Sequence, residues 1–161
     1  MEPTIQPYQD YEYNWPEKMI QRLRSHFAEH ERIHTSPQYV AMVIHEQIGL
    51  SRDPPFQVVG IFKSMYVANR LAMHFFKHRY DDFLYHDPGN MFHNIQEMEE
   101  YNKVVLGIDD VGWFISDAGE LSLKLVRGVH RSERSVYVER RVLFGSYEQS
   151  VTEVEAEFKP D

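Results

Sequence analysis

The sequence predicts an α+β fold: a mainly antiparallel sheet of about five strands, ordered β-β-α and then a three-stranded meander, with an N-terminal helix and a second helix packed on it. Three observations carry that prediction. Two apolar, β-branched runs, "YVAMVI" and "FQVVGIF", stand either side of the turn formers in "IGLSRDPP" and read as strands joined by a loop. "VANRLAMHFF" repeats its apolar residues at helical spacing. Leu121, Leu123 and Leu125 alternate strictly with Glu120, Ser122 and Lys124, as a strand with one wet face requires.

The chain of 161 residues is 42% hydrophobic and 14% aromatic, enough for one core, and the expected organisation is an N-terminal arm (1–15), a single α+β domain (16–146) and an acidic C-terminal segment (147–161). The arm carries Tyr8, Tyr11, Tyr13 and Trp15 among Asp10, Glu12 and Asn14. Rings at that density are costly to leave in water, so the arm is expected to fold back onto the body, and in the second reading its rings anchor a partner. A helix over about 16–33 follows, with Pro16 in its first turn, Glu17 favouring its N-terminus, and Ile20, Leu23, Phe27 and His30 or Ile33 at helical spacing.

Strands at 39–44 and 56–62 come next. Because both runs are apolar on both faces, both are expected to be central. Ser64 is a good N-cap for a helix over 65–79, whose apolar face is Ala68, Leu71, Ala72, Phe75 and Phe76. Gly60, near this corner, allows close approach of a helix or strand. Residues 81–109 are the least legible, with "HDPGN" a turn, "MFHNIQEMEEYNKVV" a candidate short helix, and a long surface excursion the expectation. The meander is "GWFIS", a hairpin at Asp117, Ala118 and Gly119, "LSLKLV", a loop at "RGVHRSER" and "SVYVERRVLF". The expected core is Val40, Met42, Ile44, Val59, Ile61, Leu71, Phe75, Leu121, Leu123 and Leu125. The C-terminal "VTEVEAEF" reads either as a further strand or as an acidic tail.

The segments "VVGIFKS", "YVANRLAMHFF" and "GWFISDAGELSL", in that order, resemble small uncharacterised α+β proteins of filamentous fungi, over about residues 39–143. The resemblance implies a fold pattern and no activity.

Several chemistries find little support. Cysteine is absent, which excludes disulfides and thiolate catalysis. No serine lies in a Gly-x-Ser-x-Gly elbow, and "GIFKSM" lacks the glycines of a phosphate-binding loop, so the corner at Ser64 is read as structural. His26, His30 and His34, and His74 and His78, stand four apart, a spacing at which imidazoles can share a metal. Neither set has the His-Glu-x-x-His order, and His74 and His78 fall on a wet face with Arg70 and Lys77. Asp109 and Asp110 beside Trp113 read as a polar turn before a strand. The expectation is no cofactor, no metal and no enzyme class, with a metal-dependent enzyme using the histidine pairs ranked last.

Formal net charge is −8, which disfavours broad charge-driven binding to nucleic acid. Bases nevertheless gather in blocks. From Phe56 to Tyr80 stand Lys63, Arg70, Lys77 and Arg79 and no acid. Lys124, Arg127, His130, Arg131, Arg134, Arg140 and Arg141 surround a hairpin loop and suit carboxylates or phosphates. The function expected is therefore non-catalytic protein interaction, with partner-binding residues Lys124, Arg127, His130, Arg131, Arg134 and Arg140 together with Tyr8, Tyr11, Tyr13 and Trp15, and a partner with an acidic surface. Self-association is left open. Nucleic-acid or phosphate binding through the arginine hairpin, helped by Tyr137, is the alternative. No basic-apolar leader opens the chain and no apolar run approaches the roughly 20 residues of a bilayer crossing, so the location expected is intracellular, cytoplasmic or nuclear, away from membranes.

Overall fold

The computed structural model describes residues 6–10, 13–28, 39–49, 56–81, 84–85, 93–101, 106–107, 109–128 and 131–142. Tyr11, His30, His34, His130, the part of the expected first helix beyond residue 28 and the whole C-terminal segment 147–161 lie outside them.

The class is α+β. Helix α1 spans Glu17–Ser25 and α2 spans Met65–Arg79. The strands are β1 (Tyr39–Ile48), β2 (Phe56–Phe62), β3 (Leu84–Tyr85), β4 (His93–Asn94), β5 (Glu99–Glu100), β6 (Val111–Ile115), β7 (Leu121–Arg127) and β8 (Ser132–Val142). Six of them form one sheet in the order β2-β1-β8-β7-β6-β5, and β3 and β4 make a short parallel ladder apart from it. Every neighbour in the large sheet is antiparallel except β5, which runs parallel to β6.

Three expectations about the sheet need correcting. The sheet is mixed and has a sixth strand, β5, drawn from the illegible 81–109 stretch. Two acidic residues carry no alternation, so nothing in their sequence marks them as a strand. Second, β1 is central but β2 is at the edge. Third, Ala41, Val43 and His45 are the β1 residues buried beneath the helices, whereas of the expected Val40, Met42 and Ile44, which alternate onto the other face, only Ile44 is buried, and Val40 and Met42 are half-buried there with exposed Ile61. A run apolar at every position specifies no phase. Leu121, Leu123 and Leu125 are fully buried as their alternation requires.

Both helices lie on one face of the sheet. α2 crosses β8, β1, β7 and β2, and α1 packs on β6. Ser64 Oγ accepts from Val67 N at 3.2 Å and caps α2, whose Met65, Ala68, Ala72 and Phe76 are buried. Gly60 brings β2 close to that helix: a Cβ there would sit 3.2 Å from Leu71 and strike the Phe62 ring.

The arm folds back. Tyr8, Tyr13 and Trp15 are buried in the core cluster. Asp10 holds it down, accepting from Lys77 Nζ and Trp15 Nε1, each at 2.9 Å, and from Tyr13 N at 3.3 Å. Lys77, placed by its periodicity on the wet face, is only 6% exposed because the arm covers it. Tyr13 Oη donates to Asp81, and Arg24 Nε donates to Pro7 O at 2.8 Å, so α1 and the end of α2 both grip the arm.

Asn69 links three elements from the middle of α2. Its Nδ2 donates to Gly119 O at 2.9 Å and to Tyr8 Oη at 3.1 Å, while its Oδ1 accepts from Leu121 N at 3.1 Å. The side chain is fully buried and each of its polar atoms is engaged. The hairpin it holds turns at Gly119, whose φ of 83° is the left-handed conformation the sequence predicts there.

Candidate interaction surface

The face of the sheet away from the helices divides into two halves. Over β6 and β7 the chain following β5 covers it. Tyr101 packs against Phe114 with ring centroids 5.8 Å apart, donates to Ser122 Oγ and lies 5.1 Å from Lys124 Nζ. Leu106 is buried over Gly112, and Arg131 Nη2 ties this segment down by donating to Leu106 O at 2.8 Å. Gly112 permits the approach, since a Cβ would fall 2.8 Å from Glu99 O. Here the glycine is required by space.

Over β2 and the end of β1 this face is exposed, while Ile44 within it is buried and Val40 and Met42 are half-buried. The register sets Met42 opposite Ile61, Ile44 opposite Val58 and Glu46 opposite Phe56, with an irregularity between Val43 and Ile44. Phe56 is 60% exposed, Ile61 59%, Ile48 51% and Val58 42%, four of the six large apolar side chains most open to solvent among the described residues. The β8 side of this patch is polar: Tyr137 opposes Ile44, Glu139 opposes Met42 and Arg141 opposes Val40. Burial raises the Tyr137 hydroxyl to about 12, aided by the charge of Glu46, its hydrogen-bond partner. It is a neutral donor at the rim of an apolar field.

The hairpin bases are not gathered into one surface. Lys124 lies on the face away from the helices, 3.9 Å from Glu133. Arg134 opposes Leu125 and lies toward the helices, where its Nη1 is buried without a hydrogen bond among the described residues. Arg140 lies 5.0 Å from the Tyr39 ring, on the same side as Arg134, and its backbone N–H donates to Glu120. Arg127 is exposed at the tip and Arg131, at φ 52°, is turned toward Leu106. Alternation along β7 and β8 sends neighbouring bases to opposite faces, which a reading of local composition does not see. Of the arm's expected anchors, Tyr8, Tyr13 and Trp15 are engaged within the chain.

His74 and His78 are exposed on α2 with ring centroids 4.2 Å apart. Among the described residues no group of three or more His, Asp or Glu is placed to hold a metal. A recess of about 410 Å³ lies between the start of α1 and β5, against Pro16, Met98 and Trp113. Its carboxylate Glu100 meets Arg22 Nη1 at 2.9 Å and Lys18 Nζ at 3.4 Å, and Trp113 Nε1 donates to Met98 O. These are partnered structural groups. No helix among the described residues is long and apolar enough to cross a membrane. Compared with protein-family models, with curated proteins and with solved structures, the chain shows no match.

The feature that sequence reasoning missed is the exposed apolar patch itself. Ile61 reads as core and the strand as central because the run is apolar on both faces. The only signal available was negative: "FQVVGIF" has no neighbouring segment rich enough in alternation to cover its second side.

Proposed function

We propose that the chain is a non-catalytic protein-interaction module that docks a partner on the exposed apolar group at the β1–β2 edge of its sheet. The observation carrying this reading is the convergence of Ile48, Phe56, Val58 and Ile61, all exposed, on two adjacent strands at one edge. Scattered exposed apolar residues need no explanation, but a contiguous group rimmed by polar side chains marks a binding site in soluble domains. The rim is Glu46, Tyr137, Glu139 and Arg141, whose donors and acceptors can fix a partner's orientation.

The test is affinity capture with the full chain and with a Val58→Asp, Ile61→Asp variant. Both positions are exposed, so the unfolding midpoint should stay in place while a partner recovered by the parent chain is lost. A variant of unchanged stability that recovers the same partners would remove this surface from consideration.

A further inference from the structure

We propose that the recess between the start of α1 and β5 holds an arginine side chain of a partner protein. It lies at the β5 end of the sheet, away from β2, so the inference stands independently of the β1–β2 patch. Its volume of about 410 Å³ falls within the range of about 300–1,000 Å³ usual for sites that enclose a ligand.

The floor is apolar and fixed. Pro16, Met98 and Trp113 are buried, and Trp113 Nε1 donates to Met98 O at 3.0 Å, which holds the indole in place. On the inner wall Glu100 is 8% exposed and meets Arg22 at 2.9 Å and Lys18 at 3.4 Å, so its charge is balanced within the chain.

The rim differs. Glu97 and Glu99 are exposed, and among the described residues no ion pair takes either side chain. Glu17, at the same mouth, accepts from the neutral Gln21 amide at 3.2 Å, which leaves its charge uncompensated. Surface acids are ordinarily no more than solvated. These border a concave apolar floor, and the combination selects the occupant.

The group it suits has an apolar stem and a cationic head: the stem lies along Met98 and Pro16 while the head reaches the carboxylates. Guanidinium fits better than ammonium, because it is planar, weakly hydrated and able to donate to two carboxylates at once. The chain already places one guanidinium here, with Arg22 Cζ 5.9 Å from the centre of the Trp113 ring. A free amino acid would bring its own carboxylate to an acidic rim, whereas an arginine within a polypeptide brings neutral amides.

The experiment titrates the full isotope-labelled chain by NMR with three probes: acetyl-arginine N-methylamide, its neutral citrulline counterpart of nearly the same shape, and free arginine. Capped arginine should shift the Trp113 indole N–H and the amides of 97–100 at millimolar concentration, and should bind about tenfold more tightly than capped citrulline. Replacing Glu97→Gln and Glu99→Gln together should leave the unfolding midpoint in place and weaken capped arginine about tenfold. No shift of these resonances at high millimolar concentration, equal binding of arginine and citrulline, or undiminished affinity in the folded double variant overturns the proposal. Tighter binding of free arginine does so too, since the occupant would then be a small molecule. Should the double variant lose its fold, the citrulline comparison on the parent chain decides.

Discussion

The Lys77 ammonium and the Asp10 carboxylate lie 2.9 Å apart with side chains 7% and 17% exposed, and this contact fastens the N-terminal arm to α2. The same Asp10 oxygen takes the Trp15 indole N–H, while Lys77 lies 5.0 Å from the centre of the Tyr13 ring. Removing Lys77 takes from the largely buried Asp10 carboxylate its ion-pair partner, while the Trp15 and Tyr13 N–H groups remain. Lys77→Met should lower the unfolding free energy by about 1–3 kcal/mol, measured by urea titration. Deleting residues 1–15 should lower the midpoint further, because Tyr8 and Trp15 leave the core with it. An unchanged midpoint would mean that the arm contributes nothing to the isolated chain.

Asn69 makes a sharper prediction. Asn69→Ala strands the Leu121 N–H and the Gly119 carbonyl in a dry site, at about 1–3 kcal/mol for each group left without a partner. Asn69→Asp should be no better, since a carboxylate would face the Gly119 carbonyl without a donor to offer. Loss of less than about half a kilocalorie in both would show that water replaces the side chain.

Alkaline pH should weaken the fold. The Tyr8 hydroxyl is raised chiefly by burial, Tyr101 likewise, and Tyr137 is pushed up to about 12 by burial and then by Glu46. Unfolded tyrosines ionise near 10. Above that value the unfolded chain releases protons that the folded chain retains, so stability is fully present below about pH 10 and is lost as pH rises toward the folded values. Tyr8→Phe should flatten the decline between pH 10 and 12 in a series of urea titrations. The parent slope surviving intact in Tyr8→Phe would assign the effect to other tyrosines.

At the corner between β2 and α2, Ser64→Ala should cost about 1 kcal/mol. Its side chain caps the helix by accepting from Val67 N. Partner binding should be unaffected by the change. Lost binding at unchanged stability would turn the corner into a site.

Phe75 and Phe76 separate the two faces of α2. Phe76 is fully buried, and its truncation to alanine should cost about 3–5 kcal/mol, with a clearly smaller loss for half-buried Phe75. Equal losses would mean that the helix sits rotated toward β2.

The contrast between these two residues also shows how far the sequence could be read. The bounds of α2, its Ser64 cap and the hairpin at Gly119 follow from local chemistry and appear in place. So does the alternation of β7, because its wet face is written in Ser122 and Lys124. Strand phase in β1 is not local: every residue from Val40 to Ile44 is apolar, and only the position of α2 decides that Ala41 and Val43 face inward. The edge position of β2 depends on strand order, which no short segment encodes. Lys77 looked solvated because a helix pattern cannot foresee an arm more than sixty residues upstream laid across it.

Strand β8 lies between β1 and β7, and its partner β1 precedes it by about ninety residues at the centre of their register. Without β8 the sheet is two fragments, β2-β1 and β7-β6-β5, each with an unpaired inner edge. During synthesis from the N-terminus, the centre of the core therefore cannot close until Val142 has emerged, and the chain folds late. Separations of this size slow the search for native pairing, so refolding in the millisecond-to-second range is expected. Until then the inner edge of β1, with its run from Val40 to Ile44, is the segment most exposed to wrong pairing.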